Sequence, residues 1–188
     1  MKAVVERKTK EVEVKVKIDL SGKDYSINTG IPFFDHMLES FAKHSNISLF
    51  IDAKGDLDVD EHHTIEDVAI ALGTAIKKAL GGKKGINRFG DSIVPMDDSV
   101  TICGVDISGR GFLNFNGNLK DCKGFTSDNF VHFFDTLCRN SGINVYMEVK
   151  GINAHHMMES AFKAFAIAFK KAIKIVDEDI KSTKGILD

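Results

Sequence analysis

Polar and apolar residues alternate over 11–20 and 47–53, and this alternation predicts β-strands with one buried face. Turn-forming residues over 21–24 lead into a second short strand. Pro32 suits the first turn of a helix that runs to about His44. Apolar residues recur at helical spacing over 64–80, and two glycines follow this segment. The first half of the chain is therefore predicted to contain short strands and two helices.

The second half repeats this order of elements. Alternating residues predict strands over 99–107, 112–115 and 143–149, and helical spacing predicts helices over 128–140 and 155–175. Each half would then form a small sheet covered on one face by two helices. Two such halves would bury their apolar helix faces against each other.

The two halves also align residue by residue, which indicates an internal duplication. The aligned segments, separated by one short gap, are 34–55 with 130–151 and 62–79 with 155–172. We therefore predict an α+β fold built from a duplicated βα module. It has two four-stranded sheets, each covered on one face by two helices, and the helices pack between the sheets. The half-repeats are expected to span residues 1–92 and 93–188 and to form one compact unit.

Six of the seven histidines occupy positions that match between the halves. They are His36, His62 and His63 in the first half and His132, His155 and His156 in the second. A single histidine is most often a hydrogen-bonded core or surface residue, but this explains neither the two adjacent pairs nor their repetition. His44 matches Asn140 and is expected to be such an ordinary histidine.

Each adjacent pair is followed by a glutamate, Glu66 or Glu159, in a His-His-x-x-Glu pattern near the start of a predicted helix. Residues three and four apart are neighbours on a helix, so the carboxylate can lie beside either imidazole. Adjacent imidazoles point about 100° apart and do not easily bind one ion together. They are better suited to two different ions or to two sides of a subunit contact. A carboxylate that only stabilises the first helical turn is the simpler alternative, and it is compatible with metal binding.

Imidazole and carboxylate donors without thiolates are typical of sites for manganese, iron, cobalt or zinc. The three cysteines, Cys103, Cys122 and Cys138, show neither metal-binding nor disulfide spacing and are expected to be reduced. The repeated donors predict two matched metal sites that leave positions open for a substrate. The predicted ligands are His36, His62, His63, Glu66, His132, His155, His156 and Glu159.

Lys163 departs from the symmetry of the repeat, because the first half has Ile70 at the matching position. It lies one helical turn after Glu159, in line with His155. A surface lysine whose stem packs on apolar neighbours is the ordinary interpretation. Its alignment with two predicted ligands makes contact with a substrate at least as good an explanation.

An acidic run over 56–61 precedes His62 and has no counterpart in the second half. It is expected to be a solvated loop. Asp60 or Glu61 could act there as the hydrogen-bond partner of a ligand histidine.

The net charge is only -2, so electrostatics give no reason to expect a nucleic-acid or acidic-membrane partner. A small phosphorylated substrate remains compatible with this balance, since it needs only a local cluster of cations. No apolar stretch approaches the roughly 20 residues that a membrane span requires. The N-terminus has no signal or transit character, so we expect a cytoplasmic protein.

Five motifs resemble those of the imidazoleglycerol-phosphate dehydratase family, and the resemblance covers essentially the whole chain. Two surround the first histidines: Gly-Ile-Pro-Phe-Phe-Asp-His-Met-Leu at 30–38 and Asp-Glu-His-His-Thr-Ile-Glu-Asp at 60–67. The others are Lys-Gly-Ile-Asn-Arg-Phe-Gly at 84–90, His-His-x-x-Glu-x-x-x-Lys at 155–163 and Ser-Thr-Lys-Gly at 182–185. Together these motifs are highly specific.

The resemblance implies a lyase that dehydrates D-erythro-imidazole glycerol phosphate to imidazole acetol phosphate in histidine biosynthesis. It also implies two manganese ions per active site, which other divalent transition metals could replace. The expected assembly is a metal-dependent homo-oligomer of twenty-four subunits. The family's metal ligands match the same eight residues that the repeat identifies.

Further roles follow from the resemblance alone. It implies that Glu6 and Lys163 are catalytic and contact the substrate, although Glu6 by itself looks like a surface residue that precedes a strand. The remaining substrate-binding positions, chiefly for the phosphate, are Arg88, Arg110, Ser182, Thr183 and Lys184. Arg88 suits a fork of hydrogen bonds to phosphate, but a surface arginine that closes a helix is nearly as good an interpretation without the family.

The chain departs from the family pattern at two places. Val131 stands before His132 where the family usually has a glutamate, and Asp97-Asp98 stands where the family has Asp-Glu. We expect neither departure to contact a proposed ligand, so they affect the fine geometry and not the reaction.

Two other functions remain compatible with the histidines. A metal-dependent hydrolase would use the same sites to activate water, although the phosphate-binding positions and the tail motif argue against it. A structural oligomer would use the histidines to join subunits through metal ions. In that case substitution of Lys163 or Arg88 should leave the protein's behaviour unchanged.

Overall fold

The computed structural model describes residues 1–122 and 124–187, and within them the chain forms two four-stranded sheets and four helices. The first sheet contains β1 (Lys2–Lys8), β2 (Val12–Asp19), β3 (Tyr25–Asn28) and β4 (Ser48–Gly55). The second contains β5 (Phe89–Met96), β6 (Ser99–Asp106), β7 (Phe112–Gly117) and β8 (Asn144–Lys150). The helices are α1 (Pro32–Ser45), α2 (His62–Leu80), α3 (Ser127–Ser141) and α4 (Ala154–Ala172).

Both sheets have the same topology, which confirms the duplicated module. Their strand orders are β1-β2-β4-β3 and β5-β6-β8-β7. In each sheet the last pair in this order is parallel and the other pairs are antiparallel. Every helix follows a strand of a parallel pair, so all four helices of the described chain begin near the carboxyl ends of those strands. Open sheets commonly bind ligands outside these strand ends.

The helices lie between the sheets and pair across the two halves. Helix α1 packs against α4, and α2 packs against α3, while α2 also covers β1 and β2 and α4 covers β5 and β6. Buried phenylalanine rings fill this layer, and Phe34, Phe133 and Phe162 form a chain of ring contacts between 5.2 and 5.5 Å. Burial of each such side chain contributes about 1.5–3 kcal/mol. The aromatic layer therefore joins the helices of the two halves by direct ring contacts.

Two glycines allow the closest approaches within this layer. A Cβ atom on Gly73 of α2 would lie 2.9 Å from the Leu137 carbonyl oxygen of α3. One on Gly90 of β5 would overlap the Ala168 carbonyl oxygen of α4. Both glycines hold neighbouring elements at a spacing that a larger residue would prevent.

The outer strands β1 and β5 are the elements that alternation did not predict. In β5 the inward positions are the small residues Gly90 and Ser92, whereas the apolar Phe89 and Ile93 point outward. This inverts the usual pattern, so the sequence signal for the strand is lost. β1 is an edge strand in which only Val5 is buried. The proposed division of the chain between residues 92 and 93 remains a prediction, because β5 spans that point.

Within the described part of the chain, no helix is both long and apolar enough to cross a membrane.

Candidate active site

The first candidate metal site, which we call the His36 cluster, contains His36 of α1 together with His155 and Glu159 of α4. The Oε2 atom of Glu159 lies 3.0 Å from Nε2 of His155 and 3.6 Å from Nε2 of His36. One candidate ligand atom from each residue lies within 4.8 Å of the others. Glu159 is buried, so its carboxylate is held beside the two imidazoles by the packing of α1 on α4.

The second site, the His62 cluster, contains His62 and Glu66 of α2 together with His132 of α3. The rings of His62 and His132 stack with centroids 4.6 Å apart, and Glu66 Oε1 lies 3.3 Å from Nε2 of His132. Nδ1 of His62 lies 3.2 Å from Oδ1 of Asn129. Because an amide oxygen only accepts, this contact requires a proton on Nδ1 and leaves Nε2 as the potential metal ligand.

Each cluster combines residues from both halves of the chain. His36 of the first half joins two residues of the second, and His132 of the second half joins two residues of the first. This exchange follows from the helix pairing, since α1 contacts α4 and α2 contacts α3. The duplication thus produces two equivalent sites that neither half forms alone.

The donors of both clusters fit a divalent transition metal. Within the described residues, Nε2 of His132 is buried and makes no hydrogen bond, although Glu66 Oε1 lies 3.3 Å away. A buried ring nitrogen without a partner is unfavourable unless another group satisfies it. Two imidazoles and one carboxylate from each cluster match the nitrogen and oxygen ligands that such metals prefer.

His63 lies outside the His62 cluster and points to a different partner. Its Nδ1 atom lies 3.0 Å from Asp56 Oδ2 and 3.8 Å from a Glu11 carboxylate oxygen. The hydrogen bond with Asp56 is the main reason that the pKa of His63 is raised. The acidic residue of this loop that forms a hydrogen bond with a predicted ligand histidine is therefore Asp56, and not Asp60 or Glu61. Asp60 instead accepts the backbone N–H of His62, which explains why α2 begins there.

His156 is the equivalent residue in the second half and also lies outside the His36 cluster. Its Nδ1 atom lies 2.6 Å from Oδ1 of Asp98, and this hydrogen bond is the main reason that the pKa of His156 is raised. The same contact and the backbone N–H groups of Asn153 and Ile152 hold the pKa of Asp98 well below its usual range. The expectation that Asp98 touches no proposed ligand was wrong. The turn between β5 and β6 brings Asp98 beside the start of α4. The contact could not be seen in the sequence because Asp98 and His156 are 58 residues apart.

Lys163 lies beside Glu159 on α4, as its position one helical turn later predicted. Its Nζ atom is 2.9 Å from Oε1 of Glu159. Burial is the largest single influence on the pKa of Glu159 and raises this pKa. The contacts with Lys163 and His155 together outweigh burial, so the pKa of Glu159 is lowered.

His44, which was expected to be an ordinary histidine, also faces this site. Its pKa is lowered by burial and by the charge of Lys163.

The residues expected to bind phosphate line one pocket of about 480 Å³, which we call the cationic pocket. Its polar lining consists of Arg88, Ser108, Arg110, Lys181, Ser182, Thr183 and Lys184. Arg88 has a left-handed backbone, with φ 71°. Its guanidinium donates to Asp106 Oδ1 at 2.8 Å and to the Lys181 carbonyl at 2.7 Å. Asp106 therefore fixes the direction of Arg88 and occupies part of its hydrogen-bonding fork.

The cationic pocket and the His36 cluster lie at opposite ends of α4. The backbone N–H of Arg88 donates to the carbonyl of Ala172, the last residue of this helix, whereas His155 is its second residue. Seventeen residues of helix separate the two positions by about 25 Å, at 1.5 Å per residue. A single copy of the chain thus presents these two groups of residues on distant parts of its surface.

Glu6 and Val131 do not contribute to either cluster in the described chain. Glu6 lies within β1, and not before a strand as expected, on the face of the sheet opposite to the buried Val5. It forms an ion pair with Lys15, whose hydrogen bond lowers the pKa of Glu6. Val131, which stands where a glutamate was expected, packs against the hydrophobic core.

The sequence is similar to a known family over nearly its whole length. The profile of the family described as imidazoleglycerol-phosphate dehydratase matches residues 29–169. The chain belongs to this family. An imidazoleglycerol-phosphate dehydratase from Archaeoglobus fulgidus is 55% identical over 97% of this chain and 97% of its own length. One from Methanococcoides burtonii is 50% identical and covers 98% of both chains. By this membership the chain is an enzyme.

Solved structures of the family share the fold. The crystal structure of IGPD from Pyrococcus furiosus in complex with (S)-C348 has a TM-score of 0.86 and 37% sequence identity. It covers 97% of this chain and 100% of its own. The imidazoleglycerol-phosphate dehydratase from Staphylococcus aureus has a TM-score of 0.85 and 32% identity, over 94% of this chain and 100% of its own.

Proposed function

We propose that this enzyme dehydrates D-erythro-imidazole glycerol phosphate to imidazole acetol phosphate in histidine biosynthesis. The observation that carries the proposal is the pair of matched His/Glu clusters, each assembled from both halves of the chain. A substrate with an imidazole ring, hydroxyl groups and a phosphate requires sites for all three. The clusters suit the ring and the hydroxyls, and the cationic pocket suits the phosphate.

We propose that the clusters hold two divalent metal ions per active site, with manganese as the ion that the resemblance implies. His36, His155 and Glu159 would hold one ion, and His62, Glu66 and His132 the other. Such ions would supply Lewis acidity toward the substrate's imidazole ring and one of its hydroxyl groups. The carboxylates Asp56 and Asp98 orient His63 and His156 so that Nε2 of each is directed away from its Nδ1 partner.

The distance between the cationic pocket and the His36 cluster supports an active site shared between subunits. A molecule built from one five-membered ring, three carbons and a phosphate cannot span about 25 Å, the length of helix that separates the two positions. The phosphate would therefore bind in the pocket of one copy while the ring binds at the clusters of another. His63 and His156 would complete metal sites in neighbouring copies. This arrangement agrees with a metal-dependent homo-oligomer, of twenty-four subunits by resemblance.

The reaction removes a hydroxyl from the carbon attached to the ring and a proton from the next carbon, and the resulting enol becomes the ketone. Lys163 lies beside Glu159, so its ammonium can donate a hydrogen bond to a substrate oxygen at the His36 cluster. Glu6 is the acidic residue that the resemblance assigns to proton transfer. Because it faces away from the helices of its own subunit, it could act only on a substrate held by a neighbouring copy.

Turnover by the purified enzyme tests this proposal. The protein would be stripped of metal with a chelator, supplied with manganese and mixed with imidazole glycerol phosphate, and the keto product would be followed by its absorbance in alkali. We expect product only after metal is restored. Lys163→Met should lower kcat by about a hundredfold, within the range for general acid–base groups, and exposed Lys43→Met should not. Absence of product from metal-loaded, correctly assembled protein would refute the proposal.

A further inference from the structure

A buried lysine connects the loop after α2 to the last described residue of the chain. Lys83 is 7% exposed, has a left-handed backbone with φ 55°, and donates from Nζ to the carbonyl oxygen of Leu187 at 2.5 Å. A left-handed backbone at a residue other than glycine and the burial of an ammonium group are each unfavourable on their own. The hydrogen bond from Lys83 to the tail offsets part of this cost.

The first part of the tail is fixed by backbone hydrogen bonds to the segment that follows Lys83. The N–H of Gly85 donates to the carbonyl of Asp179, and the N–H of Val176 donates back to the carbonyl of Gly85. Gly85 is required at this position, since its φ is 75° and a Cβ atom would lie 2.4 Å from the carbonyl oxygen of Asp177. The tail is therefore held firmly as far as Asp179.

The later part of the tail, residues 181–187, is largely exposed and contributes six residues to the cationic pocket. Its local turn is formed by the N–H of Gly185, which donates to the carbonyl of Ser182. Arg88 binds the carbonyl of Lys181 at the start of this segment, and Lys83 binds the carbonyl of Leu187 at its end. Ser182, Thr183 and Lys184 thus lie on a loop between two cationic anchors.

We propose that Lys83 is a positioning residue that holds this loop closed over the phosphate of the substrate. Exposed segments with few buried contacts open at a low free energy. An anchor at the second end of the loop restricts this opening and organises the pocket before phosphate arrives, which favours binding. The inference rests on the proposed function, because it assigns the cationic pocket to phosphate. It places the effect of Lys83 on phosphate affinity and not on chemistry at the clusters.

Steady-state kinetics of the metal-loaded enzyme test the inference. Lys83→Met should raise KM for imidazole glycerol phosphate about tenfold, as expected for the loss of one hydrogen bond from a charged group, and should change kcat by less than about twofold. Inorganic phosphate should become a weaker competitive inhibitor by the same factor. Lys83→Arg should recover most of the affinity. The control is Lys84→Met, since Lys84 is exposed and lies outside the pocket lining.

A variant that ends at Ile186 removes the acceptor while it leaves α2 and the core intact. It should raise KM at least as much as Lys83→Met, because it removes the same hydrogen bond together with Leu187, which lines the pocket. The combined variant should raise KM by less than the product of the two single effects, because both changes remove that hydrogen bond. Amides 182–186 should exchange hydrogen faster in both variants. An unchanged KM in either variant, with wild-type turnover normal, would overturn the inference. This outcome differs from failure of the proposed function, in which the wild type itself would neither turn over substrate nor be inhibited by phosphate.

Discussion

Carboxylate and amide oxygens determine how the histidines of this enzyme are oriented. Three of the six repeat-matched histidines have Nδ1 beside a side-chain oxygen, so that Nε2 is the nitrogen directed elsewhere. The pairs are His62 with Asn129, His63 with Asp56, and His156 with Asp98. The histidines could be predicted from the repeat. Their partners could not, because Asn129 and Asp98 are brought near only by the packing of different elements.

The Glu159 carboxylate is expected to be essential for metal binding at the His36 cluster. Glu159→Gln keeps the size of the side chain but removes the charge that faces His36, His155 and Lys163. Even partners of metal ligands typically contribute 10- to 100-fold in affinity or activity, so we expect turnover to fall by at least about 100-fold. Manganese titration and turnover would be measured beside exposed Glu13→Gln. Activity within about threefold of wild type would contradict the assignment.

The pairing of Asp98 with His156 should make the stability of metal-free protein depend on pH. The raised pKa of His156 gives a contribution that is complete below the ordinary histidine pKa, about 6.5, and is lost as pH rises through the raised value. The lowered pKa of Asp98 gives a contribution present above about pH 4 and lost on acidification. Asp98→Asn should therefore lower the urea midpoint more at about pH 5.5 than at about pH 8.5. Equal loss at both values would contradict this pairing.

The four helices contribute buried residues to the core and contain every residue of the two clusters. All four were predicted, from Pro32, from apolar spacing and from the repeat, and their observed limits differ from the predicted ones by at most three residues. The partition of ligands between the clusters could not be predicted. It depends on α1 packing on α4 and α2 on α3, and spacing along one helix contains no information about which helix lies opposite. β5 was missed because its inward residues are small or polar.

The aromatic layer between the helices should contribute strongly to stability. Phe162 of α4 is 1% exposed and contacts the rings of Phe130, Phe133 and Phe134. Truncation of a fully buried phenylalanine leaves a cavity, so Phe162→Ala should lower the free energy of unfolding by about 3–5 kcal/mol. Denaturant unfolding of metal-free protein would measure this. Phe112→Ala, at a site 66% exposed, is the matched control and should change it by less than about 1 kcal/mol. Equal effects would show that the layer does not support the core.

The whole molecule is expected to depend on metal for its assembly. His63 and His156 lie outside the clusters of their own subunit, and metal ions that they share with neighbouring copies would join the subunits. Light scattering should therefore show a large particle with manganese and a much smaller species after chelation, with the large particle restored when metal returns. An unchanged mass after complete removal of metal would contradict this expectation.

Mixed assemblies test whether each active site combines the clusters of one copy with the cationic pocket of another. Glu159→Gln removes a cluster ligand, and Arg88→Met removes a cation of the pocket while each leaves the other feature intact. Each variant alone should be nearly inactive. The two would be stripped of metal, mixed in equal amounts and reassembled with manganese.

Activity should return in the mixture, to at most about a quarter of the wild-type value if the subunits combine at random and independently. The recovery should require reassembly, so variants mixed without removal of metal should stay inactive. A reassembled mixture of confirmed mixed composition that remains inactive would contradict the shared active site.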